Sequence, residues 1–259
     1  MSKVMKMLSA KGVLVLALVL LPWQAMAVHV SPEQVKISAT YDGQDVFVTG
    51  EVQGDEEAVV QIVGHSTAAE FARKGKVGGV LWMTVEHIRI GNAPNVYLLY
   101  LPKTLDDWRL HSDPRWNSLN LDFSTLLAKA RIEPEPQNKE ALFNDFIKLK
   151  TRDSLYQLVG DAVRYTSDSG GNKEFKARIH IPAKIPVAAY EVRVLRIKKD
   201  GQVAAIEKGK LELEETGFPE FIRKMAFKNS LLYGVLSVGI AILAGLFMGI
   251  LFRDRGSAH

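Results

Sequence analysis

The stretch IPAKIPVAAYEVRVLRIKKDGQV, Ile181 to Val203, decides how the rest of this chain is read. A proline-bearing corner leads into a strand centred on Tyr190, and alternation splits that strand into two faces. Tyr190, Val192, Val194 and Arg196 share one side, and Glu191, Arg193, Leu195 and Ile197 share the other. Both sets carry apolar residues, so the inner face stays open. Lys199-Asp200-Gly201-Gln202 then reads as a hairpin turn into a strand over Ala204–Leu213.

Working outward, the same texture recurs. Val35, Ile37, Ala39 and Tyr41 alternate up to Asp42-Gly43, and Val46 and Val48 follow, which reads as strand, turn and strand. Ala58–Val63, Val77–Met83, Val85–Ile90, Val96–Leu101 and Phe175–Ile181 supply further strands, broken at Asn92–Asn95 and at Asp168–Asn172. Strands of this length and spacing, ending in a proline corner and a Tyr-centred strand, define the expected fold class. It is mainly β: an immunoglobulin-like antiparallel sandwich, as one domain or as two small β-domains.

The middle of the chain differs. Thr104 is placed to cap a short helix reaching Leu110, and a polar loop with Asp113-Pro114 follows. Leu119–Arg131 has a helical pattern that halts at Glu133-Pro134-Glu135-Pro136. Asn138 is a suitable N-cap for Lys139–Lys150, with Leu142, Phe143, Phe146, Ile147 and Leu149 as its apolar stripe. A further helical stretch is expected over Asp153–Val159. The organisation is therefore β-strands over 28–103, a helical insert over 104–164 and returning strands over 165–216.

Both ends are apolar. Lys3, Lys6 and Lys11 precede nine uninterrupted apolar residues, Val13–Leu21, and Ala25-Met26-Ala27 offers a small-x-small cleavage pattern. This is the form of a secretory signal over 1–27, with an uncleaved anchor as the alternative. Leu231–Phe252 holds 22 residues without a charge, about 33 Å as a helix, enough to span a bilayer. A signal followed by this stop-transfer segment places the body in the periplasm of a bacterial inner membrane protein. The tail, 253–259, is then cytoplasmic. Between body and span, Phe218, Phe221, Ile222 and Met225 recur at helical spacing within 217–230, while Glu220, Arg223, Lys224 and Lys228 fall elsewhere. Such a segment lies at the membrane–water boundary or docks on the sandwich.

Without the first 27 residues the charge is 30 basic against 29 acidic side chains, and no basic face marks a nucleic-acid footprint. The chain has no cysteine, so neither disulfides nor thiolate chemistry enter. None of GxSxG, GxxxxGK[ST] or HExxH occurs. Glu86 and His87 are strand neighbours facing opposite ways and do not chelate together. The His111-Ser112-Asp113 loop and the acidic helix start Asp106-Asp107 have ordinary structural accounts, as does Gly75–Gly79, which lacks the following helix an anion loop needs. No catalytic, cofactor or metal residues are assigned. Two candidate contact surfaces remain. Trp108, Arg109, His111, Arg115 and Trp116 put two tryptophans and three cations into nine residues of loop. Ser237, Ala241, Gly245 and Gly249 recur every four residues along the span, a small-residue ridge that suits close helix–helix approach.

Four segments, GGVLWMTVEHIRIGNAPNVYLLY (Gly78–Tyr100), FNDFIKLKTRDSLY (Phe143–Tyr156), FKARIHIPAKIPVAAYEVRVLRIKKDGQV (Phe175–Val203) and LLYGVLSVGIAILAGLFMGILFR (Leu231–Arg253), resemble in order and spacing an alpha-proteobacterial family of transmembrane proteins. Gly79-Val80-Leu81-Trp82 is one residue longer than the family's Gly-x-Trp pattern, and Ala188 or Ala189 stands where a turn glycine is expected. The resemblance implies a signal peptide, a periplasmic β-rich body and one C-terminal anchor. It also implies a transport-linked accessory role beside a permease resembling sulfite exporters. The expected function is thus non-enzymatic. It is accessory work through an integral membrane partner or a second copy bound along the span, in contact with the lipid bilayer. The alternative is a periplasmic module that binds a small anion or sugar beneath the helical insert.

Overall fold

The computed structural model describes residues 28–169 and 171–253. The expected signal over 1–27 and the tail beyond residue 253 lie outside the described residues.

Where Gln44–Gln53 (β3) runs, Val46, Val48 and Val52 alternate inward and are fully buried. Each such side chain contributes roughly 1.5–3 kcal/mol by leaving water. Strands β4 (Glu56–Val63) and β7 (Tyr97–Pro102) behave differently, being buried on both faces over almost their whole length. That explains their continuous apolar runs, AVVQIV and VYLLYL: one face meets the core and the other is roofed by helices.

Among the described residues, nine strands make one sheet in the order β1-β3-β10-β9-β7-β4-β11-β12-β2. The remaining members are β1 (His29–Ser31), β2 (Gln34–Ile37), β9 (Tyr156–Ser169), β10 (Asn172–Ile181), β11 (Ala189–Lys198) and β12 (Val203–Glu215). The two edge strands, β1 and β2, are consecutive in the chain, so one short segment borders both edges. At Gly209 on β12 a Cβ would lie 2.7 Å from Val30 Cγ2 of β1. The missing side chain lets β1 lie against β12 and brings the sheet close to closure.

The fold is mainly β, as the alternation implies, with three corrections. Two pairings are parallel: β7 with β9 and β2 with β12. A parallel pair needs a crossover, and the helical insert is that crossover. It comprises α1 (Lys103–Leu110), α2 (Pro114–Leu119), α3 (Phe123–Lys129), the short strand β8 (Arg131–Glu133) and α4 (Lys139–Arg152). The insert therefore ends at Asp153, and the region expected to stay helical through 164 is strand β9 from Tyr156. Second, Asp42-Gly43 is not a two-residue hairpin, because β2 pairs with β12 while β3 pairs with β1 and β10. Third, VGGVLWM is a turn with its flanks rather than one strand. Gly78 and Gly79 take φ +63° and +77°, and the hairpin β5 (Ala69–Val77) and β6 (Leu81–Gly91) bends there. With β8 this hairpin forms a separate three-stranded sheet.

The expected caps and turn hold in part. Asn138 Oδ1 accepts from Ala141 N at 2.9 Å, and Asp113 Oδ1 accepts from Arg115 N at 2.9 Å. Pro102, not Thr104, sits at the N-cap of α1. On β11 Tyr190, Val192 and Val194 are buried on one face, and Leu195 and Ile197 are buried on the other, so both faces are covered along the strand's second half. The Tyr190 hydroxyl donates to the Pro186 carbonyl at 2.8 Å. Past β12 come α5 (Phe218–Lys228), none of whose residues is buried, and α6 (Ser230–Arg253).

Candidate interaction groove

Along β5 and β6 the residues Phe71, Ile88 and Ile90 fall on one face, by the register Phe71↔Ile88 and Ala69↔Ile90. The apolar stripe of α4 meets that face. Phe146 stands edge-on to Phe71 with ring centroids 5.5 Å apart, and the aromatic packing continues through Phe143 and Tyr156. Two buried tyrosines anchor this layer. Tyr97 OH donates to Leu121 O at 2.7 Å and accepts from Gln61 Nε2, and Tyr156 OH donates to Pro94 O at 2.6 Å. Burial pushes the Tyr97 hydroxyl up to about 12, so it stays neutral and donating.

Between this sheet and α4 opens a groove of about 750 Å³. Ile88, Ile90, Leu142 and Leu149 give it an apolar floor, and the Pro134–Asn138 connection closes one side. Its rim is charged, with Arg73 paired to Glu86 at 3.1 Å, and Asp145 and Glu135 nearby. The lining contains no histidine, serine, threonine or tyrosine. Apolar floor and charged rim suit capture of an apolar side chain or a small amphipathic molecule. The groove was not legible in the sequence because its walls come from distant segments, within Phe71–Ile90 on one side and Pro134–Leu149 on the other. Val85–Ile90 alternates visibly, but nothing local reports that α4 packs across this face so as to leave a cleft beside it.

The five residues expected on an exposed loop are organised differently: Trp108 and Arg109 lie on α1, Arg115 and Trp116 on α2, and His111 between them. Trp116 is buried, with Nε1 donating to Asp122 Oδ2 at 2.6 Å, and Trp108 is nearly so. Arg115 lies over the Trp108 ring at 4.0 Å, pairs with Asp113 and donates to Lys199 O. Arg109 is bound to Asp106, and the exposed His111 contacts Asp107 O through Nδ1. The cluster ties the insert onto the sheet, because large amphipathic rings are the residues that cover a sheet end. Along α6, Ser237 turns its hydroxyl back to Tyr233 O at 2.8 Å. Gly245 and Gly249 have open space where a Cβ would be, and Ala241 lies on the same ridge.

One further polar cluster was invisible in the sequence because its members are 135 residues apart. Asp45 and His180 are cross-strand partners, His180 Nδ1 lying 3.0 Å from Asp45 Oδ1, and Arg178 binds the other carboxylate oxygen. Arg178 and His180 together hold the Asp45 carboxyl below its ordinary range. Glu86 is paired to Arg73 and His87 faces the opposite side, and no group of three potential metal ligands occurs among the described residues.

A β body followed by a helix, Ser230–Phe252, with mean hydropathy 2.6 defines a membrane-anchored β protein. A family model described as "Putative transmembrane protein (Alph_Pro_TM)" matches residues 25–254, and the chain belongs to that family. No curated protein and no solved structure matches it.

Proposed function

We propose that this protein is a non-enzymatic accessory module, held at the membrane by α6, whose exported body engages a protein partner in the same bilayer through the groove between β5–β6 and α4. The observation that carries this reading is the groove itself. It is apolar at its floor, charged at its rim, and lies outside the closed core of the nine-stranded sheet. In this reading the body is an immunoglobulin-like sandwich of two layers, β1-β3-β10-β9 and β7-β4-β11-β12-β2. Two features support it: the first segment splits between the edges of both layers, and the Tyr190–Pro186 contact has the form of a tyrosine corner. The body is periplasmic and the C-terminal tail cytoplasmic, and a permease of the kind the resemblance implies is the first candidate partner.

The test compares native-gel migration of the full chain, extracted gently from its own membranes, with Leu142→Arg on the floor and Asp145→Lys on the rim. The wild type is expected to migrate in an assembly larger than itself, and both variants to fall back to the free chain. Unchanged migration of Asp145→Lys and Leu142→Arg, both still folded, contradicts the reading.

A second reading is favoured by the groove's size, which lies within the ~300–1,000 Å³ typical of small-ligand sites, and by α4 forming one wall of it. A small anion or sugar would then be the occupant. Saturable thermal stabilisation across a panel of such compounds supports it, and a flat panel removes it.

A further inference from the structure

We infer that the tip of the β5–β6 hairpin is a second membrane contact, seated in the headgroup region of the same bilayer that α6 crosses. The hairpin carries apolar residues along one face, interrupted by the Arg73–Glu86 ion pair. Beyond Phe71, Ile88 and Ile90, which α4 covers, the register continues through Gly75↔Met83 to Val77↔Leu81 on that face. Here the cover ends: Val80 is 81 % exposed, Leu81 65 % and Trp82 66 %, with Val77, Met83 and Val85 also exposed. Six exposed apolar residues crowd the tip on both of its faces, with Trp82 beside Lys76 on the face opposite Val77 and Leu81, a concentration of the kind that marks an interaction surface.

Strand register states at which end of the sheet the hairpin is rooted. Ile62 of β4 pairs with Val192 of β11, and Val192 with Gly209 of β12. Strands β4 and β12 therefore run the same way, and β4 leads into the hairpin at the end of the sheet where β12 leads into α5 and α6. The hairpin extends eight residues from Ala69↔Ile90 to Val77↔Leu81, about 26 Å of strand. The α5 helix leaves from that same end with Phe218, Phe221 and Phe227 exposed and none of its residues buried.

Charge points to lipid as the occupant. Arg73, Lys74 and Lys76 border the apolar tip, and Lys76 Nζ lies 5.6 Å over the Trp82 ring. A tryptophan beside lysines at the edge of an apolar patch matches the layered chemistry of a membrane interface, where the ring sits at headgroup depth and cations meet anionic phosphates. A chain already tethered to a bilayer needs little added affinity for such a contact to persist.

The absence of cysteine makes the test clean. Leu81→Cys, labelled with an environment-sensitive fluorophore, is compared with Gln202→Cys on the turn at the opposite end, each in the full chain reconstituted in nanodiscs of phosphatidylethanolamine and phosphatidylglycerol. The expected result is blue-shifted emission from position 81, with at least twofold stronger quenching by spin-labelled lipid than at position 202. That difference should shrink on adding Lys74→Glu and Lys76→Glu. Equal iodide quenching at both positions without lipid quenching overturns the inference. So does shielding of position 81 from both quenchers, which would mean a second copy or a protein covers the tip. Neither outcome depends on whether the groove binds a partner.

Discussion

Phe71 of the hairpin and Phe146 of α4 meet edge to face, 5.5 Å between centroids, and this contact sets the distance between the two walls of the groove. Phe146 is almost fully buried and also touches Phe143 and Tyr156. Phe146→Ala is expected to lower stability by about 3–5 kcal/mol, the usual cost of emptying a buried aromatic site. Denaturant unfolding of the full chain in detergent measures it. A loss near zero would mean that α4 does not brace the hairpin.

Arg196 Nε donates to Glu56 Oε2 at 2.6 Å, and Nη1 to Glu207 Oε1 at 3.3 Å, with the Glu56 side chain only 3 % exposed. Arg196→Met would leave the buried Glu56 carboxylate and the half-buried Glu207 carboxylate facing each other, at a cost of roughly 3–5 kcal/mol at neutral pH. Burial raises the Glu207 carboxyl above its ordinary value even with Arg196 present. The variant should therefore recover part of its stability as pH falls and the Glu207 carboxyl protonates. Unfolding curves at pH 7 and pH 5 check it, and a deficit that grows on acidification contradicts it.

Acid stability is expected to depend on exposed carboxylates as well. Arg115 holds the Asp113 carboxyl down at about 2, below the ~3.9 of an unfolded aspartate. A lowered folded value means this contribution is present above about pH 4 and disappears as pH falls toward 2. Asp45 and Glu191 are lowered the same way by Arg178 and Arg193. The Tm should fall steeply between pH 4 and 2, and Asp113→Asn, which retains a capping oxygen for α2, should make that fall shallower. An identical acid limb in wild type and variant would sink the assignment.

The ridge of Ser237, Ala241, Gly245 and Gly249 is open along its length at both glycines. Gly245→Ile is expected to weaken association along α6 by tenfold or more, while membrane insertion stays intact, since isoleucine is as apolar as the span requires. Cross-linking yield between helices, with carbonate extraction as the insertion control, reads both. Unchanged association would leave α6 as an anchor alone.

How much of this was legible in the sequence depends on where each signal is stored. Asn138 capping α4 and the Asp200-Gly201 turn between β11 and β12 are local, and both stand as read. The membrane-length apolar run was legible for the same reason. Tyr156–Ser169 was not. Its LYQLVGDAV start continues the helical spacing, and pairing with Tyr97–Pro102 across the crossover and with Asn172–Ile181 makes it a strand. Asp42-Gly43 misled in the opposite direction. It has turn chemistry, but the strands on either side find partners more than 100 residues away. The tryptophans at 108 and 116 looked like a contact surface because composition does not report burial. The groove escaped notice because an uncovered stretch of an apolar face has no local signature.

The central claim is that the groove is where a membrane partner binds. A photo-activatable amino acid at Leu142, with Ile206 on the exposed side of β12 as the control, tests it most directly in intact native membranes. The account predicts one discrete adduct from position 142, larger than the chain alone, that is absent from position 206 and lost on adding Asp145→Lys. The same adducts from both positions, or none from position 142, would contradict it.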